Sequence, residues 1–156
     1  MSETLSTPPD SAATPSPRFV HLRVHSEYSI QDSILRVDDA IKLAKKDAMP
    51  ALALTDLGNV FGLVKFYSGA HKKGVKPIAG CDVWVAPPES TDKPTRMLLL
   101  VQDTAGWRLL CELLTRAYRT NMHRGRAILQ PTWFDEMGTR GLIALSGGHL
   151  GDVGTA

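Results

Sequence analysis

The stretch that most constrains this chain is Val20-His21-Leu22-Arg23-Val24-His25-Ser26-Glu27-Tyr28-Ser29, with Thr55-Asp56-Leu57-Gly58-Asn59 as its echo one structural unit later. Each is a short apolar or alternating run that ends in polar, ligand-capable side chains. The mouth of a parallel barrel is written this way, with successive strands delivering polar residues to one end. Read as a strand over residues 19–25, the first run puts His21, Arg23 and His25 on one face and Val20, Leu22 and Val24 on the other.

Two histidines at i and i+2 on a strand stand only ~6.6 Å apart and can converge on one ion. Here the middle residue is an arginine. His21 and His25 are ~13 Å apart at the same rise, too far to share a metal without a bend. Arg23 ligates no metal at ordinary pH and sets a permanent positive charge where a cation would sit.

Further along, Val37, Ala40, Ile41, Ala44 and Ala48 recur at helical spacing, with Asp38 and Asp39 suited to a first turn and Met49-Pro50 as a stop. Residues 51–54 read as a strand buried on both faces. A second helix points Phe61, Val64 and Tyr67 inward, with Leu63 and Phe66 as further candidates, and ends at Gly74 and Pro77. Residues 76–85 supply a third strand, 86–95 a surface loop and 97–101 a fourth strand. The next helix carries Trp107, Leu110, Cys111, Leu114 and Tyr118 on one stripe. Arg116, Arg119, His123, Arg124 and Arg126 follow as a solvated helix end or, less simply, a phosphate- or partner-contacting patch. A short helix over 133–137 and a fifth strand over 141–145 complete the pattern.

Strands alternating with helices argue for an α/β fold with parallel pairing and right-handed crossovers. Five strands do not close a barrel, and a complete one takes roughly 200 residues or more. The first and fifth strands then present open edges, so the domain is expected to be marginal or aggregation-prone by itself. Residues 1–17, rich in Ser, Thr, Pro and Ala, read as a disordered lead-in and not as a signal peptide. The 156 residues leave room for one domain, over residues 18–156, and no apolar run is long enough to span a bilayer. A formal charge of +2 is close to balance and gives no evidence for a nucleic-acid-binding surface. Cys81 and Cys111 have no metal-ligand spacing and read as buried thiols in a reducing cytoplasm.

Residues 19–29, 49–59 (Met-Pro-Ala-Leu-Ala-Leu-Thr-Asp-Leu-Gly-Asn), 61–67 (Phe-Gly-Leu-Val-Lys-Phe-Tyr), 74–82 (Gly-Val-Lys-Pro-Ile-Ala-Gly-Cys-Asp) and 146–154 (Ser-Gly-Gly-His-Leu-Gly-Asp-Val-Gly) together resemble the start of bacterial DNA polymerase III alpha subunits. The likeness is to their amino-terminal polymerase and histidinol phosphatase (PHP) domain, and it runs in unbroken order over about 18–154. It implies an incomplete, distorted (βα)7 TIM-like barrel. In metal-binding members the ligands sit at strand ends as a His-x-His pair, an Asp-His pair, a Glu after a Gly-Cys-like turn and a His opening the fourth strand. Those positions fall on Arg23 and His25, on Asp56 and Leu57, on Asp82, and on Arg96.

Arg23, Leu57 and Arg96 cannot ligate, so the resemblance implies a vestigial site with no catalytic residue, no metal and no other cofactor, in which an arginine pairs with Asp56 or Asp82. His21 reads as a hydrogen-bonded core or rim histidine, and His71, His123 and His149 as surface ones. The partners implied are the 3′–5′ proofreading exonuclease (epsilon) subunit and the rest of the polymerase III core, with DNA contacted only through downstream domains and no membrane contact. The loop 26–35 and the helix 107–118 are the candidate docking surfaces. The alternative is a metal-dependent phosphoesterase or intrinsic proofreading nuclease.

Overall fold

Helix formation begins where apolar spacing and end charges agree. In the computed structural model, which describes residues 19–155, α1 (Val37–Lys46) buries Val37, Ala40, Ile41 and Ala44 and carries acids in its first turn and lysines in its last, the charge order the helix dipole favours. The lead-in expected over 1–17 lies outside the described residues. Ala48, expected on the inward stripe, lies past the helix end, exposed and with φ of 50°. The chain reverses there to enter β1 (Ala51–Leu54), all of it buried.

The second helix, α2 (Leu63–Lys72), turns inward the further candidates Leu63 and Phe66 and not the main expected set. Leu63, Phe66 and Ala70 are buried, whereas Phe61, Val64 and Tyr67 face out. Both sets recur at helical intervals, so spacing alone leaves the phase open. Phe66 fixes it, wholly buried in one cluster with Ile41, Leu52 and Leu54.

The spine of the sheet is β2 (Lys76–Val85). Around it lie β3 (Thr95–Val101), β4 (Met122–His123), β5 (Arg126–Leu129) and β6 (Leu142–Ser146), in the order β4-β5-β2-β3-β6, with β1 also paired to β2. β1 and β5 run parallel to β2. β3 corrects the expectation of uniformly parallel strands: it is antiparallel to β2 from Gly80↔Leu100 to Val85↔Thr95, and antiparallel again to β6. The link between β2 and β3 holds only a short turn at Pro88–Ser90, and a parallel partner would need a crossover of about a dozen residues or more, usually a helix.

The expected first strand, residues 19–25, is irregular, with a bend at Leu22, and forms no regular ladder. Its His21 carbonyl accepts from Ala53 N–H (3.0 Å) and its Val24 carbonyl from Thr55 N–H (2.9 Å). Three residues on this segment thus match two on β1, and one extra residue in a ladder breaks its regularity as a bulge does. The alternation expected of the segment fails with it. Arg23 and His25 turn toward Asp82, while His21, expected in the core or at its rim, is exposed and meets Phe19 edge-on.

Among the described residues the sheet has six strands and there are five helices, completed by α3 (Thr104–Thr120), α4 (Thr132–Met137) and the short α5 (Asp152–Thr155). Asp103 caps α3, its carboxylate accepting from Gly106 N–H. The buried stripe of α3 is Leu109, Leu110, Leu113, Leu114 and Ala117; Trp107 and Cys111, expected on it, are half-buried, and Tyr118 is exposed. The basic stretch after Arg116 is a hairpin and not only a helix end. β4 pairs antiparallel with β5 across Arg124-Gly125, whose φ values of 48° and 78° are the positive pair a two-residue I′ turn requires.

Side chains of β2 divide the interior. Cys81, Val83 and Val85 pack with Leu110, Leu113 and Trp133 on the α3 side. Asp82 and Trp84 therefore point to the opposite face, on which Ala53, Leu98 and Leu100 form a small cluster of their own.

Candidate functional site

Asp82 stands in the middle of that opposite face, and the sequence folds to fill its surroundings with cations. It is held by β2, with its own N–H given to the Asp56 carbonyl and its carbonyl accepting from Gly58 N–H. Its side chain is 0% exposed. Oδ2 accepts from Arg23 Nε at 2.9 Å and from Arg23 Nη2 at 2.5 Å. His25 Nε2 lies 3.0 Å from the same oxygen and Arg96 Nη1 3.5 Å. Oδ1 is buried without a partner among the described residues, as is Arg96 Nε.

Arg96 comes from β3 directly opposite Trp84. It donates through Nη2 to Asp32 at 2.8 Å, and the His25 ring approaches Asp32 from the other side, Nδ1 at 3.4 Å. Two guanidinium groups thus meet two carboxylates, with one imidazole between the acids. Trp84 carries Arg96 and Arg126 against its ring, each 4.5 Å from the centroid, one reaching over from each neighbouring strand. An open cleft of about 540 Å³ lies over this group, lined by Arg23, His25, Gln31, Asp32 and Arg96.

Burial pushes the Asp82 carboxyl up, but the hydrogen bonds from His25 and Arg23 and the charges of Arg23 and Arg96 outweigh it. The group is held below the usual carboxylate range.

Asp56, the other acid at an expected ligand position, is engaged differently. It is 1% exposed, and Oδ1 accepts from Ser26 N–H (2.6 Å), Ser26 Oγ (3.0 Å) and Ser29 Oγ (2.7 Å), with Oδ2 accepting from Ser26 Oγ (2.9 Å). Ser29 Oγ in turn accepts from Leu57 N–H. Leu57 contributes backbone only, forming a parallel bridge to Asp82. Cys81 Sγ donates to the Asp56 and Asn59 carbonyls, and burial pushes its thiol up, which makes it unreactive.

Of the six positions singled out in the sequence, Arg23, His25, Asp82 and Arg96 come together at one carboxylate. Asp56 and Leu57 brace the same wall from behind. Neither arginine pairs with Asp56. Sequence reasoning missed Asp32, Ser26 and Ser29, all in a loop where no periodicity operates; the concentration of Ser and Asp there was their only signal. Of the basic stretch, Arg126 alone reaches the site, on the Trp84 ring among the described residues, while Arg116 pairs with Glu136, and His123 and Arg124 with Asp92.

As a metal centre this donor set does not fit. Metal ligands surround an ion at about 2.0–2.2 Å, and the space around Asp82 Oδ2 is taken by two guanidinium groups that cannot ligate. Asp56 has its lone pairs committed to serine donors. Among the described residues no group of three or more His, Cys, Asp or Glu is arranged to hold a metal ion.

The model of the PHP domain family matches residues 21–156. The chain belongs to the PHP-domain family. DNA polymerase III subunit alpha of Neisseria meningitidis (strain MC58) is 43% identical over 141 residues, and that of Escherichia coli K12 is 43% identical over 138 residues. Each alignment covers 88% of this chain and 12% of the relative, so the matched PHP domain spans about an eighth of those proteins, at their amino-terminal region. A solved amidohydrolase from Chromobacterium violaceum superposes with a TM-score of 0.47 at 23% identity, over 64% of this chain and 32% of that one. No helix among the described residues of this PHP domain is long and apolar enough to cross a membrane.

Proposed function

We propose that this PHP domain is the amino-terminal part of a DNA-directed DNA polymerase III alpha subunit, acting in DNA replication as a metal-free scaffold. It forms part of a distorted seven-stranded barrel, stabilises the polymerase and docks the 3′–5′ proofreading exonuclease subunit. The observation that carries this reading is the Asp82 carboxylate bound by Arg23, His25 and Arg96. A phosphoesterase of two or three metals needs several N and O ligands to activate water and clamp phosphate. Here the cations at the mouth are side chains, and they tie three segments of the chain to one another.

Primer extension then resides in other domains, and the positions Arg23, His25, Asp56, Leu57, Asp82 and Arg96 are the remains of a ligand set. Metal content tests this. The protein is exposed to zinc and manganese, freed of excess and measured by mass spectrometry; the expected result is no stoichiometric ion with the fold intact. Two ions retained per chain would return the domain to the phosphoesterase or nuclease reading. The docking role is tested by co-elution with the purified exonuclease subunit, which is expected to survive metal chelation.

A further inference from the structure

The outward side of α2 exposes apolar residues beside its polar ones, and the turn leading into it exposes another. Phe61, in the turn just before the helix, is 69% exposed, and Val64 and Tyr67 on the helix are 80% and 52% exposed; Val64 and Tyr67, three residues apart, are neighbours on one side of it. Tyr67 continues to His71, the rings 5.0 Å apart. At that end lies a cleft of about 460 Å³ lined by Tyr67, His71, Lys76, Pro50 and Pro77 among others.

Charge distinguishes the two ends of the helix. Between Asp56 and Asp82 the chain carries Lys65, His71, Lys72, Lys73 and Lys76 and no acid at all. Lys65, near the start of α2, is answered by Glu27 and Asp38. Lys73 lies within electrostatic reach of Asp39 on α1, a carboxylate already paired to Lys42. α1 and α2 lead by short links into β1 and β2, which are parallel and paired from Ala51↔Lys76 onward. Both helix C-termini therefore lie at the same end of the sheet, and Lys45 and Lys46 join Lys72, Lys73 and Lys76 in a basic collar, with Asp47 as the one acid in the link that follows α1.

We infer that this stripe and collar form a docking groove for an acidic amphipathic peptide segment. Its apolar residues cover Phe61, Val64 and Tyr67, and its carboxylates meet His71, Lys72 and Lys76. A nucleic acid would satisfy the lysines and leave Phe61 and Val64 in water, so an acidic protein segment fits better than a phosphate backbone. None of the groove residues lines the ion-paired mouth, and the groove stands whether or not the scaffold reading of that mouth holds.

The probe is a labelled amphipathic helical peptide with leucines on one face and glutamates flanking them, titrated onto the full chain by fluorescence anisotropy. A twin with lysine for glutamate is the control. The acidic peptide is expected to bind at least about tenfold more tightly, with the gap closing as salt screens the collar. Val64→Glu, at a site too exposed to disturb folding, is expected to weaken it about tenfold or more, and Lys72→Glu with Lys76→Glu to reverse the preference between the two peptides.

Equal binding of the twins, no binding of the acidic peptide by about 1 mM, or indifference to Val64→Glu overturns the inference. So does displacement of the peptide by oligo(dT), which would make the surface a nucleic-acid site. Self-association abolished by Val64→Glu would assign the stripe to a second copy and overturn it equally.

Discussion

Asp82 is the residue on which the mouth depends, because its one carboxylate joins Arg23 and His25 of the segment 19–25 to Arg96 of β3. Asp82→Asn keeps the shape and removes the charge, leaving Arg23 without its counter-ion and the buried Arg96 with Asp32 alone. Breaking a buried pair from one side costs about 3–5 kcal/mol; Arg23 is partly open to solvent, which lowers the expected loss to about 2–4 kcal/mol. A urea titration reads it directly, and an unchanged midpoint would mean that the cluster holds nothing together. The same carboxyl gives a pH dependence with a definite sign. Its folded pKa is depressed, so its contribution is fully present above the unfolded value of about 3.9 and is lost as pH falls through the folded one. The urea midpoint is expected to drop on acidification below about pH 4, and Asp82→Asn to flatten that drop. A variant that loses stability in parallel with the native chain would assign the acid transition to other carboxylates.

Elements are placed here as much by what cannot fit as by what packs. A Cβ on Gly106 would lie 1.8 Å from the Gly141 carbonyl oxygen, so the first turn of α3 sits directly on the chain entering β6. Gly106→Ala has no flexible side chain to displace and must part helix from strand, at a cost of about 3 kcal/mol or more. Thermal melting of the single variant checks it, and an unchanged midpoint would mean that helix and strand separate freely at this point. The contact joins residues far apart in sequence, and such contacts are what a sequence hides. The helices α1, α3 and α4 and the strands β1, β2, β3 and β6 are legible because period and punctuation mark them locally. The phase of α2 is not, since Phe61-Val64-Tyr67 and Leu63-Phe66-Ala70 are equally periodic and only burial against Leu52 and Leu54 separates them. The β4–β5 hairpin is hidden by its arginines, which read as a helix end until Arg124-Gly125 is seen to turn the chain. At the mouth, the resemblance brings Arg23, His25, Asp82 and Arg96 to one place, whereas Asp32, Ser26 and Ser29 depend on how an aperiodic loop folds back.

At the scale of the whole molecule, the sheet ends on one side in β6, paired with β3 and with nothing beyond it among the described residues. Leu142-Ile143-Ala144-Leu145-Ser146 contains no charge and no proline, the two features that usually keep an edge strand from recruiting another. Ile143 and Leu145 lie opposite Leu100 and Leu98, on the face shared with Asp82, and are 42% and 39% exposed. The edge therefore offers unpaired backbone groups beside an apolar surface, which favours strand addition between copies. Sedimentation over a range of concentrations is expected to show association that Leu145→Lys suppresses, with a loss of monomer stability of about 1 kcal/mol or less because the side chain is already partly in water. Val64→Glu, on the outward face of α2, is expected to leave that association untouched. If the native chain stays monomeric throughout, the β6 edge does not recruit a second copy, and the charge placed at Leu145 will change nothing.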